Sequence, residues 1–549
     1  MGRAGGAIKD MKHFRVVFQP DDREVSIHQG ATLLEAAGQA GIVLSTPCGG
    51  KGTCGKCLVQ LSPSGQHVRA CQHTVEQDLV VTVPAASRFY EHKILTDGGP
   101  GAVAVQPTIV ETYRAAGVAG AILGLAVDIG TTTVVAKLLD MADGRCLATQ
   151  ATVNPQTRYG DDVISRIHYG QSEAALAEMQ QVIIDALNAL IEPLCRTAGV
   201  DAESVREACI VGNTTMNHIL LKFPVAQLGQ APYRAHSVAA HDLPAKELGL
   251  HLHPSGNVHT VENIAGFVGS DTTAVALAVD MDQVAGATLA VDIGTNGELV
   301  LAVGGRLYAA SCAAGPALEG ARIRHGSRAA EGAIEAVVVD DGDVALDVIG
   351  RAAPRSICGS GLIDAVAVLV ELGVVDATGR FVGPAEARKT CSEAVAARLL
   401  EVDGQGAFCL AWDERTGQPT VVLTQKDIRE FQLAKGAIGA GIELLLRRSG
   451  IGAGQLDSLL LAGAFGNYIR PRSAVRVGLL PDVPLDRIHF VGNAAAGGAE
   501  MILLSQECRD RAAALAERIE YVEIAHERQF NEVFAGAMLL EPQAGGGSD

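Results

Sequence analysis

The sequence predicts a multidomain α/β protein: a small strand-rich N-terminal unit, a linker, and a larger unit built from two similar halves. Three observations carry this. At 549 residues the chain exceeds what one hydrophobic core serves. Short alternating strands surround a glycine-rich cysteine loop within the first 85 residues. From Gly124 onward the pattern becomes strand, loop, helix, and the tetrad Asp-Ile-Gly-Thr closes two separate apolar runs, at Asp128 and Asp292.

Residues 1–10 and the tail EPQAGGGSD, 541–549, are expected to be disordered. Within 11–85, Phe14 to Phe18 and Val25 to His28 alternate as strands around a turn at Asp21 and Asp22. TLLEAAGQAGI then predicts a helix, and LVVTVP predicts a closing strand after Cys71. Residues 86–121, with DGGPG, predict a linker carrying one helix. The remainder divides into a first part, 122–206, and a main part, 207–540. Its markers are the strand GLAVDIG, a helix across EAALAEMQQVIIDALNALIEPL, the strand EACIVGN and a second LAVDIG strand. SLLLAGAFGN is an apolar strand entering a glycine turn, and HFVGNAAAGGAEMILL is a strand running into a glycine-rich helix start.

Composition narrows the function classes. A net charge of -18 with no basic stripe argues against a nucleic-acid partner. The 12 cysteines, with no secretory leader evident, predict metal ligands or buried thiols in a reducing cytoplasm rather than disulfides. The apolar stretch VAGAILGLAVDIG is broken by glycine and falls short of the ~20 residues that cross a bilayer, so no membrane span is expected.

Cys48, Cys54, Cys57 and Cys71 have the spacing C-x5-C-x2-C-x13-C. A [2Fe-2S] cluster needs four thiolates, three of them from one tight loop, and Gly49, Gly50, Gly52 and Gly55 let the backbone wrap it. A four-cysteine zinc site also uses C-x2-C, but usually as two paired knuckles, and only one such pair occurs here. GKGTCGKC approaches a phosphate-binding P-loop, yet the required Ser or Thr is Cys57.

In DIGTTT and DIGTNGE an aspartate stands at a strand end, and the following turn aims backbone N–H groups at bound oxygens. Asp128 and Asp292 are candidate Mg2+ ligands, directly or through water. Gly130, Thr131, Thr132 and Thr133 on one side and Gly294, Thr295 and Asn296 on the other are candidate phosphate contacts. Gly463, Ala464, Phe465, Gly466 and Asn467, after the strand at Leu461, would let the backbone pass close to an adenosine. Glu298 is a candidate for orienting the attacking water, or else caps a turn. GNAAAGGA, Gly492 to Ala499, reads either as a hinge contact or as core packing.

Together the paired loops, LAGAFGN and the glycine helix resemble the superfamily of acetate and sugar kinases, heat-shock chaperone ATPases and actin. With the cysteine loop added, and with VGNTTMNH, ENIAGFVGSDT and ICGSGLID, the chain resembles the reductive activators of corrinoid proteins over nearly its whole length. The resemblance implies a β-grasp-like ferredoxin domain joined to a two-lobed actin-like ATPase. It also implies ATP, Mg2+, an upstream electron donor, a corrinoid protein returned from Co(II) to Co(I), and a homodimer. ATP enters because clusters of this type commonly lie near ~-400 mV, and each ~59 mV of uphill one-electron transfer costs about 1.4 kcal/mol.

Rival readings are a redox-regulated ATPase and a dehydratase-type activator with a second cluster bridging a dimer, for which Cys209, Cys312 and Cys358 are the nominees. A metabolite kinase gives the cysteine loop no purpose. His218, His251 and His253 are weak candidates for cobalt ligands, and isolated histidines more often serve as core hydrogen-bonding groups.

Overall fold

The computed structural model describes residues 12–20, 22–40, 42, 44, 57–84, 87, 106–413, 415–463 and 469–543. The expected disordered N-terminus, most of the linker and residues 544–549 lie outside them. Residues 541–543, expected in the disordered tail, are instead placed, with Gln543 forming a parallel bridge to Pro481.

The N-terminal unit is a five-stranded mixed sheet ordered β2-β1-β5-β3-β4, from β1 (His13–Gln19), β2 (Arg23–His28), β3 (Leu58–Ser62), β4 (His67–Arg69) and β5 (Leu79–Thr82). The alternation seen in the sequence is the cause: Phe14, Val16 and Phe18 point inward from β1 onto Leu33, Ala36 and Ala37 of the helix Leu33–Gln39. That helix starts at a capping box in which Thr32 and Glu35 satisfy each other's backbone N–H groups.

The rest is two lobes on one plan. The first sheet is ordered β10-β11-β9-β6-β7-β8, from β6 (Leu123–Ile129), β7 (Thr133–Asp140), β8 (Cys146–Val153), β9 (Val205–Gly212), β10 (His241–Pro244) and β11 (Asn257–Thr260). The second is ordered β22-β21-β12-β13-β14-β23, from β12 (Thr288–Ile293), β13 (Gly297–Val303), β14 (Arg306–Cys312), β21 (Ser458–Ala462), β22 (Ile488–Gly492) and β23 (Ile519–Tyr521). In each, three consecutive strands form antiparallel hairpins, a later strand joins the first of them in parallel, and another joins that later strand in parallel. Antiparallel strands join through tight turns, whereas the parallel ones require helical crossovers. Two three-stranded sheets, β15 to β17 (Ala333–Asp340, Asp343–Val348, Ser356–Ile357) and β18 to β20 (Leu399–Val402, Gln405–Trp412, Pro419–Thr424), are inserted in the second lobe.

The division expected between residues 206 and 207 cuts through β9, which pairs with both β6 and β11. The first lobe therefore runs on through β10 and β11. An apolar strand paired on both sides cannot be separated from its sheet, and a weak pattern after EACIVGN conceals the later short strands.

The helix Glu173–Ala198 is long and apolar enough by length and composition to cross a membrane. Its apolar face, including Leu176, Ile183, Leu187 and Leu194, instead packs over β7 and β8 in the first-lobe core. Two helices tie the lobes together. Ala494–Leu504 follows β22 of the second sheet yet packs against β6 and β9 of the first, and Ser270–Ala278 follows β11 yet reaches β13. They meet so closely that a Cβ on Gly498 would lie 2.2 Å from the Ala274 carbonyl oxygen.

Candidate functional site

Both Asp-Ile-Gly-Thr segments are hairpin turns at the cleft between the lobes. Asp128 lies one residue from the end of β6 opposite Val135, and Asp292 one residue from the end of β12 opposite Glu298. Each turn is closed by its glycine: Gly130 N–H donates to Thr133 O (3.0 Å) and Gly294 N–H to Asn296 O (3.0 Å). A Cβ at Gly130 would stand 2.7 Å from Thr133 O, so only glycine fits there without displacement.

The cleft brings together Asp128, Gly130, Thr131, Thr132, Thr133, Asp292, Gly294, Thr295, Asn296, Glu298 and Gly463, all expected from the sequence. Ala464, Phe465, Gly466 and Asn467 lie outside the described residues. Gly463 has φ +87°, and a Cβ there would lie 2.4 Å from Asp292 Oδ1. Its N–H donates to Gly492 O (2.9 Å), which fixes the exit of β21 against β22.

Several residues that hold the loops were not expected to do so, although Asn213 and Asn493 lie within the segments VGNTTMNH and GNAAAGGA. Arg166, fully buried, donates from Nη2 to Thr131 O (2.6 Å) and from Nε to Gly160 O (3.0 Å). Asn154 Nδ2 donates to Gly130 O (2.8 Å), and Asn213 Nδ2 to Thr131 Oγ1 (3.0 Å). Asn493, at the start of the helix Ala494–Leu504, donates to Asp128 Oδ2 (3.3 Å). Glu319 accepts from Thr295 Oγ1 (2.7 Å) and Thr132 Oγ1 (3.0 Å), so one carboxylate touches both loops. Arginine and asparagine contacts of this kind join residues far apart in the chain, which periodicity does not register.

The floor of the cleft is acidic. Burial, then repulsion by Asp271 and Asp292, pushes the Asp128 carboxyl up to about 7. Burial and Asp271 push Asp292 up to about 7, and burial pushes Asp271 up to about 6. Glu298 is driven well above the usual carboxylate range by burial, then by Asp271 and Asp292. Glu298 faces Asp271 and Asp292 across a small side cavity. The hard oxygen donors of Asp128, Asp271 and Asp292 suit Mg2+, which keeps several waters and takes one or two carboxylates. Among the described residues no three His, Cys, Asp or Glu side chains converge as a metal site.

In the N-terminal unit Cys57 and Cys71 are buried with their sulfurs 3.3 Å apart. Cys48 and Cys54 lie outside the described residues. Two thiolates on one tetrahedral metal at ~2.3 Å stand about 3.8 Å apart, so the pair fits one iron of a cluster. Cys57 precedes β3 and Cys71 follows β4, and Ala70 N–H to Cys57 O (2.9 Å) brings them together. Gln72 Nε2 approaches Cys71 Sγ at 3.8 Å, a contact that tunes a bound cluster's potential.

The other cysteines are free thiols. Cys209 is in the sheet core and pushed up to about 12 by burial, Cys312 is raised by burial and Glu298, and Cys358 lines the cleft. They sit in different surroundings, and among the described residues of one chain they do not converge on one another as a metal site. His218 uses both ring nitrogens internally: Nδ1 faces Thr214 O (2.7 Å) and Nε2 accepts from His236 N–H (2.9 Å). His253 is engaged by Ser255 and Arg206.

Comparison with known proteins agrees with this arrangement. Residues 14–85 match the model of a 2Fe-2S iron-sulfur cluster binding domain, 123–284 the RACo middle region, and 286–545 the C-terminal domain of RACo, the ASKHA domain. The chain is 32% identical over 585 aligned positions to the corrinoid activation enzyme RamQ of Eubacterium limosum, covering 95% of this chain and 98% of that protein. It is 25% identical to the [Co(II) methylated amine-specific corrinoid protein] reductase of Methanosarcina barkeri, covering 75% and 76% respectively. The solved structure of a reductive activator for corrinoid, iron-sulfur protein superposes with a TM-score of 0.70 at 29% identity, covering 97% of this chain and 99% of that one. With a ferredoxin-type domain, a middle region and an actin-like ASKHA domain all matched in order, the chain belongs to the RACo family.

Proposed function

We propose that this protein is an ATP-dependent reductive activator that returns an inactive Co(II) corrinoid protein to Co(I), in support of a corrinoid-dependent methyltransferase. The observation that carries the reading is one chain holding both a buried cysteine pair at metal-sharing distance and a cleft between two phosphate-type turns. The names of its relatives supply the acceptor. A [2Fe-2S] cluster supplies single electrons at low potential when bound.

This chain's residues then have distinct tasks. Cys48, Cys54, Cys57 and Cys71 hold the cluster. Gly130 to Thr133 and Gly294 to Asn296 receive phosphates, Gly463 to Asn467 pass the adenosine, and Asp128 and Asp292 hold Mg2+. Closure of the lobes about the crossing of Ser270–Ala278 and Ala494–Leu504 changes the affinity for the two redox forms of the partner, and that difference drives the uphill transfer. The corrinoid stays on the separate protein, an upstream donor reloads the cluster, and the activator works as a homodimer in the reducing cytoplasm.

The test is anaerobic. The purified protein, with about two irons per chain, is reduced and mixed with a Co(II) corrinoid protein while the Co(I) absorbance is followed with and without ATP. ATP-dependent Co(I) is expected. A reducible cluster and ATP hydrolysis without Co(I) across several corrinoid partners would refute the acceptor, and sedimentation of the same sample checks the dimer.

A further inference from the structure

We propose that Glu319 is the carboxylate that takes the proton of the attacking water when ATP is hydrolysed. The inference rests on the placement of nucleotide between the two turns.

Thr132 Oγ1, Thr295 Oγ1 and Glu319 Oε2 form a triangle with sides of 2.9, 2.7 and 3.0 Å. Every side is a hydrogen-bond distance, yet the two hydroxyls supply only two protons for three contacts. Both hydroxyls can donate to Glu319, so its carboxylate is placed as an acceptor of protons where the two turns meet.

The carboxylate is also held in place. Glu319 ends the short helical turn Pro316–Glu319, with Pro316, Ala317 and Leu318 buried beneath it. The following Gly320 has φ +84°, and a Cβ there would stand 2.4 Å from Ser327 O. Both the turn and its packing therefore fix where Glu319 points. A negative group aimed at the hydroxyls that receive phosphate repels the ligand, so its position calls for a task that offsets the repulsion. Asp128, Asp271 and Asp292 line the cleft floor, and Glu298 faces Asp271 and Asp292 across a small side cavity.

The step balances as follows. When the γ-phosphate engages Thr132 and Thr295, Glu319 is freed. A water oxygen bonds to the γ-phosphorus, and the bond from that phosphorus to the bridging oxygen breaks, its electron pair leaving with ADP. The water proton passes to Glu319.

The experiment compares the holoprotein with Glu319→Gln, measuring single-turnover ATP hydrolysis and, separately, the equilibrium affinity for a non-hydrolysable ATP analogue with Mg2+. A lost base is expected to slow hydrolysis by about 100-fold or more. Removal of the charge is expected to leave analogue binding unchanged or tighten it, by about 3- to 10-fold. A structural role or a metal-ligand role moves both quantities the same way, so rate and affinity falling together overturns the assignment. So does hydrolysis that stays within about threefold of the unaltered protein, far short of the loss expected for a general base. If the unaltered protein itself fails to bind the analogue, the nucleotide placement fails and the assignment with it.

Discussion

Gly463 shows how far a single hydrogen atom matters at this cleft. Its φ of +87° lies where an L side chain is strained, and a Cβ would press on Asp292 Oδ1 at 2.4 Å. Gly463→Ala is expected to cost about 1 to 2 kcal/mol from backbone conformation and to displace the carboxylate assigned to Mg2+. Titration with a non-hydrolysable ATP analogue should show affinity reduced at least about tenfold, since each 1.4 kcal/mol is tenfold, while the cluster absorbance is unchanged. Affinity within about twofold of the unaltered protein would show that the turn tolerates the methyl group and that Asp292 does not depend on it. The glycine itself was legible, because a strand of branched apolar residues ending in Gly-Ala-Phe-Gly announces a turn with a close approach. Glu319 was not. Nothing in GPALEG distinguishes a carboxylate that reaches two distant hairpins from one that faces solvent, since both contacts cross more than a hundred residues or an intervening strand pair.

Local patterns that repeat within a segment were read correctly, whereas features set by pairing between segments were not. Of the N-terminal sheet β1, β2 and β5, together with the helix Glu173–Ala198 and β12, β21 and β22, follow from apolar periodicity and strand-end glycines, whereas β3 and β4 were not anticipated. The position of β9 inside the first sheet depends on its partners β6 and β11, and a boundary drawn from composition missed it. The short helix Thr214–Leu220 is similar: VGNTTMNH was singled out as a motif, but its buried chemistry is visible only in three dimensions. There His218 lies between the Thr214 carbonyl and the His236 N–H, with His236 and His241 facing it, and burial lowers it to about 4. A carbonyl only accepts, so Nδ1 carries the proton, and a second proton on Nε2 would oppose the incoming N–H. The folded state therefore resists protonation of a group that protonates near 6.5 when unfolded. Between those values the unfolded chain binds more protons, and stability rises with pH. The contribution is present above pH 6.5 and is lost as pH falls toward 4, roughly 3 kcal/mol in all. Denaturant unfolding at pH 7 and pH 4.5 should show this loss, and His218→Gln should flatten the difference. An unchanged pH slope in the variant would assign the acid sensitivity elsewhere.

The N-terminal sheet and the second lobe also meet, through side chains that no motif connects. His13 Nε2 lies 2.6 Å from Asp347 Oδ1, Arg351 Nε donates to Ser26 Oγ at 2.9 Å, and Arg470 Nη2 lies 2.9 Å from His28 Nε2. Burial, then the Arg470 charge, lowers His28, so its Nε2 remains a lone-pair acceptor for the guanidinium. The same Arg470 stands 3.5 Å from Asp364 on the helix Gly359–Glu371, whose first residues, Gly359 and Ser360, line the cleft. A reductive activator must bring its cluster to an external acceptor, so a ferredoxin domain held by a few polar contacts rather than by a shared apolar core is mechanically appropriate. Among the described residues, the core of the N-terminal sheet contains none from either lobe. Removing these contacts should release it. The pair Asp347→Ala and Arg351→Ala removes two of these three contacts and leaves Arg470 in place. Small-angle scattering should then show a larger radius of gyration, with iron content and nucleotide affinity unaltered. A scattering profile identical to that of the unaltered protein would mean that these contacts do not hold the domain, and that whatever positions it lies in the segment joining it to the lobes.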